Sequence, residues 1–162
     1  MKIPVMLNSE KVILDAKPTE TLLDVLRRQG LLSIKEGCKK GKCGSCTVLL
    51  DDKPVPSCII PVGIVRNASI ETLEFFLLTK EGEDIAAGFK QAGINMCGFC
   101  NSSRIFSTYE LLKKVYRPSI EELDTLAESI KCNCTDKKTF INGVIYATAN
   151  KHEREGRRNA LI

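Results

Sequence analysis

Apolar and polar positions change their period midway along the chain. In the first half they alternate over short runs. Ile3-Pro-Val-Met-Leu7 and Lys11-Val-Ile-Leu14 read as two strands around Asn8-Ser9-Glu10, a hairpin. Leu22, Val25 and Leu26 then share one helical face, Thr21 and Asp24 have capping-box spacing, and Gly30 can end the helix. Thr47-Val-Leu-Leu50 and Val55 to Ile60 predict a second hairpin turning through Asp51-Asp-Lys-Pro54, and Ser69 to Leu73 a closing strand. Hairpin, helix, hairpin, strand is the order of a β-grasp, with one helix lying across a mixed sheet.

In the second half the period lengthens. Ile85, Ala86 and Phe89 have helical spacing, as do Ile105, Tyr109, Leu112 and Tyr116. Ile120, Leu123, Ala127 and Ile130 follow, with Ser119 and Glu122 as a capping box after Pro118, and Phe140, Ile141, Val144, Ile145 and Thr148 form a fourth stripe. Short connections between four such segments predict a four-helix bundle. The fold class expected is α+β: a β-grasp domain over residues 1–74, a link over 75–84, a four-helix domain over 85–150 and a basic tail over 151–162. The tail, Lys151-His-Glu-Arg-Glu-Gly-Arg-Arg158, reads as a solvated terminus.

Composition narrows the function. The 162 residues are 43% hydrophobic and 27% charged, as in a folded soluble protein. A net charge of +4 from 24 basic and 20 acidic residues is too small and mixed for an electrostatic nucleic-acid binder. No apolar run is long enough to span a membrane, and the first fifteen residues lack the pattern of a secretory signal, so a cytoplasmic location is expected. A single histidine, His152, excludes multi-histidine metal sites and argues against a Ser-His-Asp or Cys-His catalytic unit. No catalytic residue is expected.

Cysteine changes the picture most. Eight cysteines are too few for a disulfide scaffold, and in a reducing compartment their clustering reads as metal ligation. They fall into two quartets. Glu36-Gly-Cys38-Lys-Lys-Gly-Lys-Cys43-Gly-Ser-Cys46, followed by Cys58, contains C-x4-C-x2-C…C, the spacing of plant-type [2Fe–2S] ferredoxins. Gly37, Gly41 and Gly44 would let the backbone approach an anionic cluster with its N–H groups inward. Cys58 is expected on the second strand of the second hairpin. Lys39, Lys40 and Lys42 read as cluster counter-charges or as solvated loop lysines. Zinc is the competing metal, although it usually pairs two C-x2-C knuckles.

Cys97-Gly-Phe-Cys100 and Cys132-Asn-Cys134 form the second quartet, each pair just ahead of a predicted helix, so that two positive helix ends face one site. Alone, this set is compatible with zinc, a redox pair or an iron–sulfur cluster.

Together the motifs EGCKKGKCGSCTVLLDDKPVPSC, CGFC and CNC resemble the small [2Fe–2S] subunit of the xanthine dehydrogenase, aldehyde oxidoreductase and carbon monoxide dehydrogenase family of molybdenum hydroxylases, over about residues 3–150. The resemblance implies a plant-type ferredoxin-like domain and a four-helix domain, each with one [2Fe–2S] cluster. It implies two partners, a large molybdopterin subunit and an FAD subunit, in a heterotrimer or its dimer. Cys38, Cys43, Cys46 and Cys58 would hold the cluster toward the flavin; Cys97, Cys100, Cys132 and Cys134 would hold the one toward molybdenum. Single electrons would pass from the molybdenum site through both clusters to the flavin, and the chain alone would turn over no substrate. Nitrogen heterocycles or aldehydes are the implied substrates of the complex. The alternative is a free-standing two-cluster ferredoxin or redox sensor.

Departures from the family gather at the second quartet. Q-C-G-F-C-T-P-G-M becomes Met96-Cys97-Gly-Phe-Cys100-Asn-Ser-Ser-Arg104, and C-R-C-T-G-Y becomes Cys132-Asn-Cys134-Thr-Asp-Lys137. Met96 stands where the family's glutamine faces the pterin and cannot repeat its hydrogen bonds. Asn133 replaces an arginine beside that cluster.

Overall fold

The computed structural model describes residues 1–95, 97–130 and 132–160, with side chains described in the last helix to Arg157. The first hairpin pairs β1 (Lys2–Leu7) with β2 (Glu10–Asp15). Asn8 and Ser9 make its turn, both at positive φ (51° and 67°), the backbone that matches a tight hairpin to the strand twist. Helix α1 (Leu22–Arg28) starts where Thr21 accepts a hydrogen bond from the Asp24 N–H, and Gly30 follows at φ +84°. β3 (Thr47–Leu50) and β4 (Lys53–Pro56) form the second hairpin around Asp51 and Asp52. β5 (Ser69–Glu71) runs between β1 and β3, parallel to the first and antiparallel to the second. The strand order β2-β1-β5-β3-β4, with α1 packed on one face, is the β-grasp the element order predicts.

One expectation fails here. β4 stops at Pro56, and Ser57–Ile59 turn into a short 3-10 helix, so Cys58 stands on that turn and not on a strand. The Ser57 N–H and hydroxyl both bond to the Cys46 carbonyl, at 3.2 and 2.7 Å, which curls the chain beneath the first quartet.

β3 explains how the two halves join. Its residues are buried on both faces, with Val48 in the core beneath α1 and Leu49 in the core of the helical half. An uninterrupted apolar strand between two layers is what the sequence Val48-Leu-Leu50 encodes. Helices α3 (Lys80–Gln91), α4 (Asn101–Lys114), α5 (Ile120–Ser129) and α6 (Lys137–Ala160) make up the bundle, with α4 lying against β3 and β4. Ser119 and Glu122 form the expected capping box reciprocally, at 3.2 and 2.8 Å. Asp52, in the β3–β4 turn, accepts the Tyr109 hydroxyl at 2.9 Å and pairs with Lys113, tying α4 to the sheet.

The stretch expected as a link, residues 75–84, holds the end of one helix and the start of another around a turn at 77–79. α2 (Leu73–Phe76) buries Leu73 and Phe76, whose ring meets Phe106 and Tyr109 edge-on. Thr79 caps α3, accepting from the Gly82 N–H at 3.1 Å. Leu73 and Phe76, three apart, anchor this turn in the core of the helical half.

The tail expected to be solvated is also structured in its described part, as the last turns of α6. Lys151 reaches the Leu112 carbonyl, the His152 ring stacks on Tyr116 at 3.9 Å, and Arg154 pairs with Asp84 at 2.6 Å. A basic run reads as solvent-facing until the acidic face it meets, here on α3, is known.

Candidate metal centres

The eight cysteines are free thiols gathered in two places. The first place is a loop whose amides face sulfur. Cys38 Sγ accepts hydrogen bonds from the N–H groups of Lys40, Lys42 and Cys43 at 3.3–3.4 Å. The Cys38 N–H donates to Cys43 Sγ at 3.4 Å, and the Gly41 N–H to Cys58 Sγ at 3.3 Å. Lys40 and Lys42 therefore act through their backbones, while the Lys39 ammonium is held by Glu36 at 2.8 Å. The three backbone donors pull the Cys38 thiol down to about 6. Burial pushes the Cys46 thiol, which neighbours Cys58, up to about 11.

The predicted glycines have distinct parts. A Cβ on Gly37 would stand 2.6 Å from Cys43 Sγ and from the Ser45 hydroxyl, so a side chain would fill the cradle. Gly44 takes φ +73°, which an L side chain resists, and a Cβ there would meet the Ser103 hydroxyl at 2.5 Å. Gly41 contributes the N–H aimed at Cys58.

Two separate segments make the second place. Cys100 is the N-cap of α4, and Cys132 and Cys134 precede α6. The sulfurs of Cys97, Cys100 and Cys132 lie within 4.8 Å of one another, with Cys97 and Cys100 at 3.4 Å. The Cys134 thiol neighbours those of Cys97 and Cys132. Bonding from the Cys100 N–H holds the Cys97 thiol down to about 6, whereas burial and the adjoining sulfurs push Cys100 up to about 12. Burial opposes ionisation of Cys132, yet contacts from Cys100, the Cys134 N–H and Arg104 bring its thiol below its ordinary value. Cys134 is raised by its thiol neighbours, Cys97 foremost. Asn133 is exposed, and Met96 lies outside the described residues.

Both places fit an anionic, sulfur-ligated group. Unbridged thiols converge, N–H groups point at them, and Gly37 leaves the room that a Cβ would take. The two places also adjoin. Phe99, between Cys97 and Cys100, lies 3.3 Å from the Cβ position of Gly37, and Ser103 on α4 abuts Gly44.

Sequence reasoning missed Arg104 as a site residue. Its side chain is 1% exposed and reaches Cys132 Sγ and the Asn95 carbonyl. The available signal was its place one helical turn after Cys100, on the face that must meet the cysteines.

Comparison with known proteins agrees with this layout. Residues 5–63 match a family described as a 2Fe-2S iron-sulfur cluster binding domain, and residues 72–145 a [2Fe-2S] binding domain. The chain is 35% identical to the nicotinate dehydrogenase small FeS subunit of Eubacterium barkeri, covering 87% of this chain and 90% of that one. It is 33% identical to the xanthine dehydrogenase iron-sulfur-binding subunit of Escherichia coli O157:H7, over 82% and 84%. A solved chain of quinoline 2-oxidoreductase from Pseudomonas putida 86 superposes with a TM-score of 0.83 at 29% identity, over 94% of this chain and 96% of that one. The match to two [2Fe-2S] domain families and to FeS subunits covered along most of their length shows that this chain belongs to the small [2Fe–2S] subunits of the xanthine dehydrogenase-type molybdenum hydroxylases.

Proposed function

We propose that this chain carries single electrons between a molybdopterin subunit and a flavin subunit. Cys38, Cys43, Cys46 and Cys58 ligate the flavin-side [2Fe–2S] cluster, and Cys97, Cys100, Cys132 and Cys134 the molybdenum-side one. The observation that carries this reading is the abutment of the two cysteine loops, Gly37 on Phe99 and Gly44 on Ser103. Two cofactors serving unrelated tasks would have no need to share a wall. Each cluster, when bound, accepts and releases one electron at a time, which splits a two-electron oxidation into single steps.

The protein's own residues do the rest. N–H groups of Lys40, Lys42 and Cys43 stabilise thiolate charge at Cys38, and those of Cys100 and Phe99 do so at Cys97. Burial of Cys46 and Cys58 keeps water from the inner side of the first site. A nitrogen heterocycle is the substrate class we infer for the complex, because the relatives are named for nicotinate, xanthine and quinoline. Substrate is bound on the molybdopterin subunit, in a heterotrimer or its dimer. Among the described residues no helix is long and apolar enough to cross a membrane, and we place the complex in the cytoplasm.

Affinity purification of the chain from its native host tests this. Two larger chains bearing molybdopterin and flavin should coelute with a reddish-brown protein whose visible bands bleach with dithionite. Elution as a lone brown monomer would favour a free-standing ferredoxin, and a colourless zinc protein would remove the electron-transfer reading altogether.

A further inference from the structure

Arg104 is the largest fully buried side chain among the described residues, at 1% exposure. A guanidinium is always charged, and an isolated ion out of water costs several kcal/mol. Such burial persists only beside an anion. Among the described residues, no carboxylate pairs with Arg104. Its polar contacts among them are the Asn95 carbonyl, at 3.5 Å, and Cys132 Sγ.

Among the described residues, the surroundings supply no other negative group. The cavity of about 120 Å³ beside Arg104 is lined by Ala127, Ile130, Cys132, Thr135 and Phe140, with Lys137 as its other charged residue. Lys137 itself holds the acids of α5, Asp124 at 3.0 Å and Glu128 at 2.9 Å. Among the described residues, the anion within reach of Arg104 is therefore the thiolate of Cys132.

We propose that Arg104 is the counter-cation of the second cluster, holding Cys132 in place and raising that cluster's reduction potential. The proposal rests on the two-cluster reading above. Reduction adds one negative charge to a site already anionic, and a fixed cation in a water-poor setting stabilises the reduced form more than the oxidised form. The effect is local. Among the described residues the first quartet meets no arginine in its hydrogen bonding and draws on backbone N–H groups instead.

The test is a dithionite-and-mediator titration of the loaded chain, following the two paramagnetic signals in wild type, R104M and R104K. In R104M the ratio of reduced to oxidised second cluster at fixed potential should fall about tenfold, a shift of about 59 mV for a one-electron couple. The first signal should keep its midpoint, and R104K should stay near wild type. If R104M loses the second cluster, retention by R104K would still support a need for charge. Unchanged midpoints in R104M, equal shifts of both signals, or equal failure of both variants would overturn the proposal. Wild type with a single signal would instead refute the two-cluster reading itself.

Discussion

The two cysteine sites solve one problem, gathering thiolates and offsetting their charge, by different means. At the first, three of four cysteines lie on one nine-residue loop, and the loop's amides supply the positive ends. At the second, two pairs more than thirty residues apart meet only because α4 and α6 pack in one bundle, and a buried arginine supplies charge. A loop-built site depends on local backbone geometry; a bundle-built site depends on tertiary packing. Damage to the bundle should therefore reach the second site first.

Replacing one cysteine at each site is the strongest way to break this contrast. Cys43→Ser should abolish one of the two paramagnetic signals of the reduced protein, and Cys100→Ser the other, each leaving its neighbour's intensity intact. Loss of both signals from either variant would show that the sites are one folding unit.

Glycines probe the packing that separates them. A Cβ on Gly88 of α3 would run into the Ala147 backbone of α6, so Gly88→Ala should cost about 3 kcal/mol and lower occupancy of the second cluster alone. Gly44→Ala should weaken the seam between the sites. The left-handed backbone there adds about 1 kcal/mol of strain and the clash with Ser103 adds more. Ser103→Gly in that background should recover the clash and not the strain, and chemical denaturation of the single and double variants separates the two.

The same contrast explains what the sequence revealed. The first site was legible because three of its cysteines and its glycines are contiguous, and local spacing is what sequence displays. Even so, Cys58 was put on a strand, because nothing in Val55 to Ile60 announces that Ser57 turns to bond the Cys46 carbonyl. The second site's cysteines were legible as pairs. Arg104 was not, since its role depends on which side of α4 faces the Cys132 segment. Its stretch had stood out as a departure from the family, and the expectation there was of a cation lost at Asn133. Asn133 is exposed, and the cation that reaches the cysteines comes from α4. The helices over residues 73–84 and the docked tail were missed for a related reason: charged residues satisfied by a distant element look the same in sequence as charged residues satisfied by water.

Removing residues 151–162 turns that last point into a measurement. Truncation deletes the Lys151 bond to the end of α4, the stack of His152 on Tyr116 and the Arg154–Asp84 pair, which is only 23% and 13% exposed. A half-buried pair and two contacts to a helix end should together cost about 2 kcal/mol, read as a lower Tm with the second cluster released before the first. His152→Ala isolates the smallest part. An exposed aromatic stack contributes about 0.5 kcal/mol, and the ring also bonds to the Tyr116 carbonyl at 2.8 Å. The loss should be detectable by denaturant titration while both cluster signals keep their shape. A solvated tail predicts no change in either experiment, so a truncated chain with wild-type stability would return the C-terminus to the role its composition first suggested.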